Sequence, residues 1–166
     1  MNDGITYVHA LKKRRQPMAK FLFNPSVMTF SMVVPDMKPC TGIQKICGFS
    51  RCWHHWNSIR LGCNRSENSN FVRFFLYTYI KGKRNEQLIG TWQVGTKLNV
   101  ELSFKHHVFS AVIHGVFGQY SKVEYAPIYF PFGYLLGNYA EIDNTNNKTP
   151  FHCHIEDLRV NGRAIK

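Results

Sequence analysis

Residues 71 to 80 run Phe71-Val72-Arg73-Phe74-Phe75-Leu76-Tyr77-Thr78-Tyr79-Ile80. In an extended chain, Val72, Phe74, Leu76, Thr78 and Ile80 point one way and Arg73, Phe75, Tyr77 and Tyr79 the other. Aromatic and β-branched side chains fit a pleated, half-buried surface. Wound as a helix, the same residues would be apolar almost all round, with no solvent face. The stretch therefore predicts a long strand with one side in a core. Polar residues Asn64 to Asn70 precede it as a turn, and Lys81-Gly82-Lys83-Arg84-Asn85 follows as a hairpin turn into a strand from Gln87 to Trp92.

The same period of two extends outward in both directions. Upstream, Ile59, Leu61 and Cys63 alternate with Ser58, Arg60 and Gly62. Ile43 to Phe49 is a short apolar segment, and Met28, Phe30, Met32 and Val34 alternate within Lys20 to Val34. Downstream, Leu98, Val100, Leu102 and Phe104 alternate, then Lys105-His106-His107 turns the chain into Val108 to His114. Tyr129 to Leu136 is aromatic, Gly137 to Pro150 is a polar loop, and Phe151 to Val160 ends at Asn161-Gly162. About nine or ten short strands roughly ten residues apart predict an all-β, antiparallel two-sheet jelly-roll sandwich. Residues 1–19 are expected to form a basic N-terminal arm and residues 20–166 the β-sandwich domain.

Composition narrows the function classes. The 166 residues carry 21 Lys and Arg against 10 acids, a net charge of +11, together with 13 Phe, 8 Tyr and 3 Trp. That combination suits a polyanion or a glycan. The charge is uneven: Lys12, Lys13, Arg14, Arg15 and Lys20 lie in the first 20 residues beside one acid, Asp3. Lys12 to Arg15 are therefore the candidate polyanion contact, with a solvated tail as the plain alternative. No apolar run approaches the roughly 18 residues of a membrane span, so no membrane partner is expected. Met1 to Lys20 lacks the apolar centre of a secretory signal. Cys40, Cys47, Cys52, Cys63 and Cys153 are odd in number and contain no C-x-x-C pair. They fit small buried apolar residues in a reducing compartment such as the cytoplasm of the producing cell.

Two resemblances are carried by particular residues. Tyr134-Leu135-Leu136-Gly137-Asn138 and the run Pro150 to Arg163, with Phe151-His152-Cys153-His154-Ile155-Glu156-Asp157-Leu158-Arg159-Val160-Asn161-Gly162 inside it, resemble the end of laminin-G-type domains. There a "YLGG" strand leads to "F-x-G-C-I-x-D-L-R-V-N-G". The usual glycine before the cysteine is absent here, and no later cysteine follows. This resemblance implies a concanavalin A-like lectin/glucanase sandwich. Lys45 to Gly62 is similar to a "K-x-x-G-F-S-x-x-x-H-H-x-N-S-I-R-x-G" pattern of uncharacterised concanavalin A-like proteins of gut Bacteroidales and their crAss-like phages, and Tyr77 to Arg84 fits the same set. The second resemblance implies a virion or glycan setting and brings no functional residue with it.

Candidate chemistry follows from these strands. Aromatic rings offer flat apolar area to sugars, and guanidinium groups donate to their hydroxyl or carboxylate oxygens. Arg73, Phe75, Tyr77 and Tyr79, with Arg60 beside them if the two strands pair, form the first candidate glycan contact; packing under a loop is the plain alternative. Trp53-His54-His55-Trp56 forms the second, in a loop where ligand contact competes with packing. His152, His154 and Glu156 at alternating positions could share a face with His106, His107 or His114, yet H-x-H on a strand is weak evidence for a metal, and no cofactor is expected. Glu141 to Asn147 holds too few carboxylates for calcium.

Glu141-Ile142-Asp143 offers two residues of the glucanase strand E-x-D-x-E but not the third, and there is no G-x-S-x-G. The chain is therefore expected not to be an enzyme. Cys52 or Cys63 with His54 or His55 is the one nucleophile pairing left open. The expected function is a non-catalytic glycan-binding or structural module, virion-associated and homo-oligomeric, with a glycan (an acidic polysaccharide above all) or other virion proteins as partner. The first alternative is a nucleic-acid-binding protein using its basic arm and face; the second is a degenerate glycoside-active enzyme.

Overall fold

The computed structural model describes residues 5–8, 27–50, 57–80, 83–105, 108–116, 120–125, 134–136 and 152–164. Among them there is no helix. The strands are β1 (Ile5–Val8), β2 (Val27–Val33), β3 (Gln44–Ser50), β4 (Asn57–Arg65), β5 (Phe71–Ile80) and β6 (Lys83–Gln93). They continue with β7 (Lys97–Lys105), β8 (Val108–Gly115), β9 (Tyr120–Tyr125), β10 (Tyr134–Leu136), β11 (His152–Val160) and β12 (Arg163–Ala164). One sheet runs β1-β11-β2-β7-β8-β9 with β12 on β11, and the other runs β10-β3-β4-β5-β6. All pairings are antiparallel. This is the two-sheet antiparallel sandwich that the alternation predicts. Ile5–Val8, within the basic N-terminal segment, form the strand at one edge.

The core lies between the sheets. Val72, Phe74 and Leu76 of β5 and Ile59, Leu61 and Cys63 of β4 belong to one buried cluster with Met28, Phe30 and Met32 of β2 and Leu98, Val100 and Leu102 of β7. Phe49 and Phe109 meet across the sheets with ring centroids 5.9 Å apart. Each such side chain contributes about 1.5–3 kcal/mol by leaving water.

Register irregularities in β3, β6 and β11 disturb the period. In β6, Gly90 stands opposite Phe74 and Leu88 opposite Phe75, so Ile89 is an inserted residue and turns inward. The Trp92 ring covers the space a side chain at position 90 would need and packs edge-on against Phe74, 5.6 Å between centroids. In β11, Glu156 pairs with Ser31 but Arg159 pairs with Thr29, so Asp157 and Leu158 together face Phe30. Asp157 takes a left-handed φ of 52°. The strand from Phe151 to Val160 is thus not regular: its inward residues are Cys153, Ile155, Leu158 and Val160. Alternation alone cannot place apolar side chains three positions apart on one face.

Turns are set by residues that tolerate positive φ. Asn161 and Gly162 have φ of 50° and 76° and link β11 to β12 in the manner of a two-residue hairpin. Asn161 also accepts a hydrogen bond from the Val27 amide at its Oδ1, 3.1 Å, which ties this turn to the start of β2.

The sulfur groups are part of the core. Cys47, Cys63 and Cys153 are buried and Cys40 is half-buried, all as free thiols. Burial pushes the Cys47 and Cys63 thiols well up and the Cys153 thiol up to about 12. They are protonated at neutral pH and poor nucleophiles. Brief alkylation of the native protein at pH 8, followed by peptide mass spectrometry, is expected to mark Cys40 well before these three; equal labelling of all four would contradict this packing.

A methyl group at Gly48 would run into the Ile59 and Arg60 backbone. Gly48→Ala is therefore expected to lower stability by about 1–3 kcal/mol, read from the midpoint of urea unfolding. An unchanged midpoint would mean that β3 and β4 do not approach so closely.

Candidate functional site

The side of the five-stranded sheet turned away from the core carries the candidate site. On β5 this far face holds Phe71, Arg73, Phe75, Tyr77 and Tyr79 in sequence order. The register places Arg60 beside Tyr77, Ser58 beside Tyr79 and Asn64 beside Arg73. β6 adds Glu86 opposite Tyr77, Arg84 opposite Tyr79 and Leu88 opposite Phe75. β3 adds Lys45, opposite Gly62. Since Gly62 has no side chain, nothing of β4 stands between Lys45 and β5.

Cations are laid over rings on this face. The Lys45 ammonium sits 4.5 Å from the Tyr77 ring centroid and the Arg84 guanidinium 5.1 Å from it. Arg73 lies 5.9 Å from the Phe75 ring and donates from Nε to Asn64 Oδ1 at 2.9 Å. Arg84 also forms an ion pair with Glu86. The described side chains of this face thus include Lys45, Arg60, Arg73 and Arg84 against a single carboxylate, Glu86.

Exposure changes along the face. Phe71 is 50% exposed and Leu88 53%. Arg73 and Phe75 are half-buried, while Tyr77 and Lys45 are 0% exposed and Arg60 1%. The site therefore has an open end at Phe71, Arg73 and Phe75 and a closed end at Tyr77, Arg60 and Lys45. Of the predicted residues, Arg60, Arg73, Phe75 and Tyr77 are brought together as expected, with Arg60 and Tyr77 enclosed rather than on the surface. Tyr79 joins them by register, its side chain being outside the described residues. Trp53, His54, His55 and Trp56, and Lys12, Lys13, Arg14 and Arg15, also lie outside the described residues.

Sequence reasoning missed Lys45, Asn64, Phe71 and Arg84. A register irregularity between Lys45 and Cys47 breaks the alternation of β3. Arg84 was assigned to a turn, but it is already paired in β6. Phe71 could have been found by continuing the odd-numbered side of β5 by one step.

Other candidates fall elsewhere. His154 and Glu156 do share a face, and they hydrogen-bond to each other at 3.0 Å, while Lys97 donates to Glu156 at 3.3 Å. His114 lies on β8, three strands from β11 in the sheet order. Among the described residues no three His, Cys, Asp or Glu side chains gather as a metal site. His106, His107, His152's side chain and the Glu141 to Asn147 loop are outside the described residues. Cys63, offered as a nucleophile, is a buried protonated thiol 3.7 Å from the Met37 sulfur.

No family model and no curated protein matches this sequence. Solved structures do match its fold. An alginate lyase from Klebsiella pneumoniae superposes with a TM-score of 0.63 at 10% identity, over 82% of this chain and 59% of that one. This chain thus spans under two thirds of that lyase. A scytalido-glutamic peptidase gives 0.58 at 9%, over 98% and 82%. The Bacillus licheniformis β-glucanase gives 0.50 at 16%, over 87% and 69%. These likenesses support the jelly-roll sandwich fold. They also correct the expectation that the chain is not an enzyme, because the structures it resembles are enzymes of several chemistries. The lack of one glucanase motif excludes one arrangement of carboxylates and not the other chemistries this sandwich carries.

The bond from His154, then the bond and charge of Lys97, lower the Glu156 pKa. A depressed carboxyl pKa adds stability above the unfolded value near 4.3 that is lost as pH falls through the folded value. Glu156→Gln should therefore melt below the parent at pH 7, with the gap closing below about pH 4. A gap of the same size at both pH values would contradict this coupling.

Proposed function

We propose that this chain is a carbohydrate-active jelly roll that takes an acidic polysaccharide across the far face of its five-stranded sheet. One observation carries this reading: β5 alternates its core residues with Phe71, Arg73, Phe75 and Tyr77, and the neighbouring strands crowd Lys45, Arg60 and Arg84 around those rings. The core does not use this face, so its cations are not needed to fill the sandwich. Burying Lys45 and Arg60 removes them from water, which is costly for a charge. A ligand with rings and carboxylates suits the surface, since rings stack on Phe71 and Phe75 and carboxylates accept from Arg73. The Klebsiella pneumoniae structure is an alginate lyase, and alginate is a polymer of carboxylated sugars. That likeness supports the ligand class, and with it turnover as well as binding. We place the chain in a phage virion, on the patterns of residues 45–62 and 77–84.

The test is affinity electrophoresis in alginate and in a neutral β-glucan, with absorbance of unsaturated uronides recorded in parallel. Retardation or cleavage is expected with alginate and not with the glucan, weakening as salt rises. Arg73→Ala and Phe75→Ala, at the open end, should each weaken the effect roughly tenfold. If neither polymer is bound or cut, or if the neutral one is preferred, this reading fails.

A further inference from the structure

The outer face of the other sheet holds a cleft of different chemistry. Its volume is about 280 Å³, and it opens over β2, β7, β8 and β11. Thr29 stands at its centre, with Glu101 directly opposite on β7 and Arg159 directly opposite on β11. Glu101 and Arg159 are therefore two strand spacings apart, about 10 Å between backbones, with the short threonine side chain between them. In the neighbouring row, Ser31 donates to Asn99 Oδ1 at 2.7 Å. That bond occupies the amide oxygen and leaves the Asn99 NH₂ as a donor.

The β11 bulge adds a further group. Inserting one residue sends Glu156, Asp157 and Arg159 all outward, where a regular strand would have turned one of the first two inward. Asp157 lines the cleft and holds a left-handed φ of 52°. Bulges commonly re-aim a side chain beside a binding site.

The charges in this cleft are not matched to each other. Among the described residues, neither Glu101 nor Asp157 makes an ion pair, although the chain carries 21 basic side chains. Arg159 reaches only the Gly162 carbonyl, at 3.4 Å. Two carboxylates and one guanidinium, with the His114 imidazole at the β8 side, thus face a small volume without forming ion pairs with one another among the described residues. A phosphate would meet two repelling carboxylates, and a plain amine would leave Arg159 unanswered. Of the rings at the cleft, Phe30 is turned into the core and His114 is an imidazole, so the cleft lacks the Phe and Tyr rings that the far face offers a sugar.

We propose that this cleft binds a small zwitterion of the α-amino acid class. Its ammonium is held by Glu101 and Asp157, and its carboxylate by Arg159. The two carboxylates outnumber the single guanidinium, so a basic amino acid fits better than a neutral or acidic one. The volume lies just under the ~300 Å³ at which drug-sized pockets begin, which suits a single residue and not a long peptide. This site is separate from the far face and does not rest on the polysaccharide reading.

The test is calorimetric titration of the full chain with L-lysine, L-lysinamide and L-glutamate. L-lysine is expected to bind saturably, and L-glutamate more weakly. L-lysinamide, which lacks the carboxylate, should lose roughly tenfold against the parent chain. Arg159→Gln should weaken L-lysine by a similar factor and abolish the difference between L-lysine and L-lysinamide. Glu101→Gln should weaken both compounds, and Arg73→Ala on the far face should change neither. Absence of L-lysine binding up to its solubility limit, equal binding of L-lysine and L-lysinamide to the parent, or binding of a neutral disaccharide that Arg159→Gln removes would each overturn the proposal.

Discussion

The register between β4 and β5 is the constraint on which the rest of the molecule depends. It runs without interruption from Asn57 opposite Ile80 to Arg65 opposite Val72. A slip by one residue would exchange the two faces of a strand, sending Val72, Phe74 and Leu76 outward and Arg73 and Tyr77 into the core. The cost of that exchange, several buried aromatic and aliphatic groups at once, is what holds the far face in place. The candidate site therefore comes from the same alternation that builds the core: each core residue on β5 fixes the position of the ring or cation beside it. β3 and β6 then adapt to this pair through local irregularities, leaving the central strands undisturbed.

Much of the fold was legible because burial on one face leaves a mark of period two. The strand from residue 71 and the end of the last strand at Asn161-Gly162 follow from side-chain chemistry that acts over a few residues, whereas Asn64 and Arg65 of the expected turn belong to β4. The bulges were not legible in the same way. An inserted residue shifts the phase of everything after it, so Ile89 in β6 and Asp157–Leu158 in β11 read as noise in an alternating pattern. The candidate site was legible only in part for the same reason. Arg73, Phe75 and Tyr77 share a strand and could be read together. Lys45 reaches them across Gly62 from a strand whose own alternation is broken, and only the folded register brings it there.

A burial gradient distinguishes the far face from an ordinary solvated sheet surface. A lysine and an arginine enclosed beside a tyrosine ring lose much of their hydration, and the contact of the Lys45 ammonium with that ring offsets about 1–2 kcal/mol of its share. The face thus combines the open contact and the packed alternative that its alternating aromatics leave possible. The half-open arrangement suits a ligand that lies along Phe71 and Phe75 and sends one charged group toward the enclosed end.

The net charge of +11 suits a polyanion or a glycan and is uneven along the sequence. The two sheets divide that charge. The five-stranded sheet gathers its described cations around rings, with Glu86 as the lone described acid. The outer face of the seven-stranded sheet sets Glu101, Asp157 and Glu156 among Lys97 and Arg159 and carries serine, threonine and asparagine between them. In a sandwich these faces point away from each other, so their fields are separated by a low-dielectric core and each is read by what approaches it. The described cations stacked on aromatic rings are thus confined to the five-stranded sheet. On the opposite side Glu101, Glu156 and Asp157 are balanced by Lys97, Lys105 and Arg159, so the excess positive charge of the described residues does not lie there.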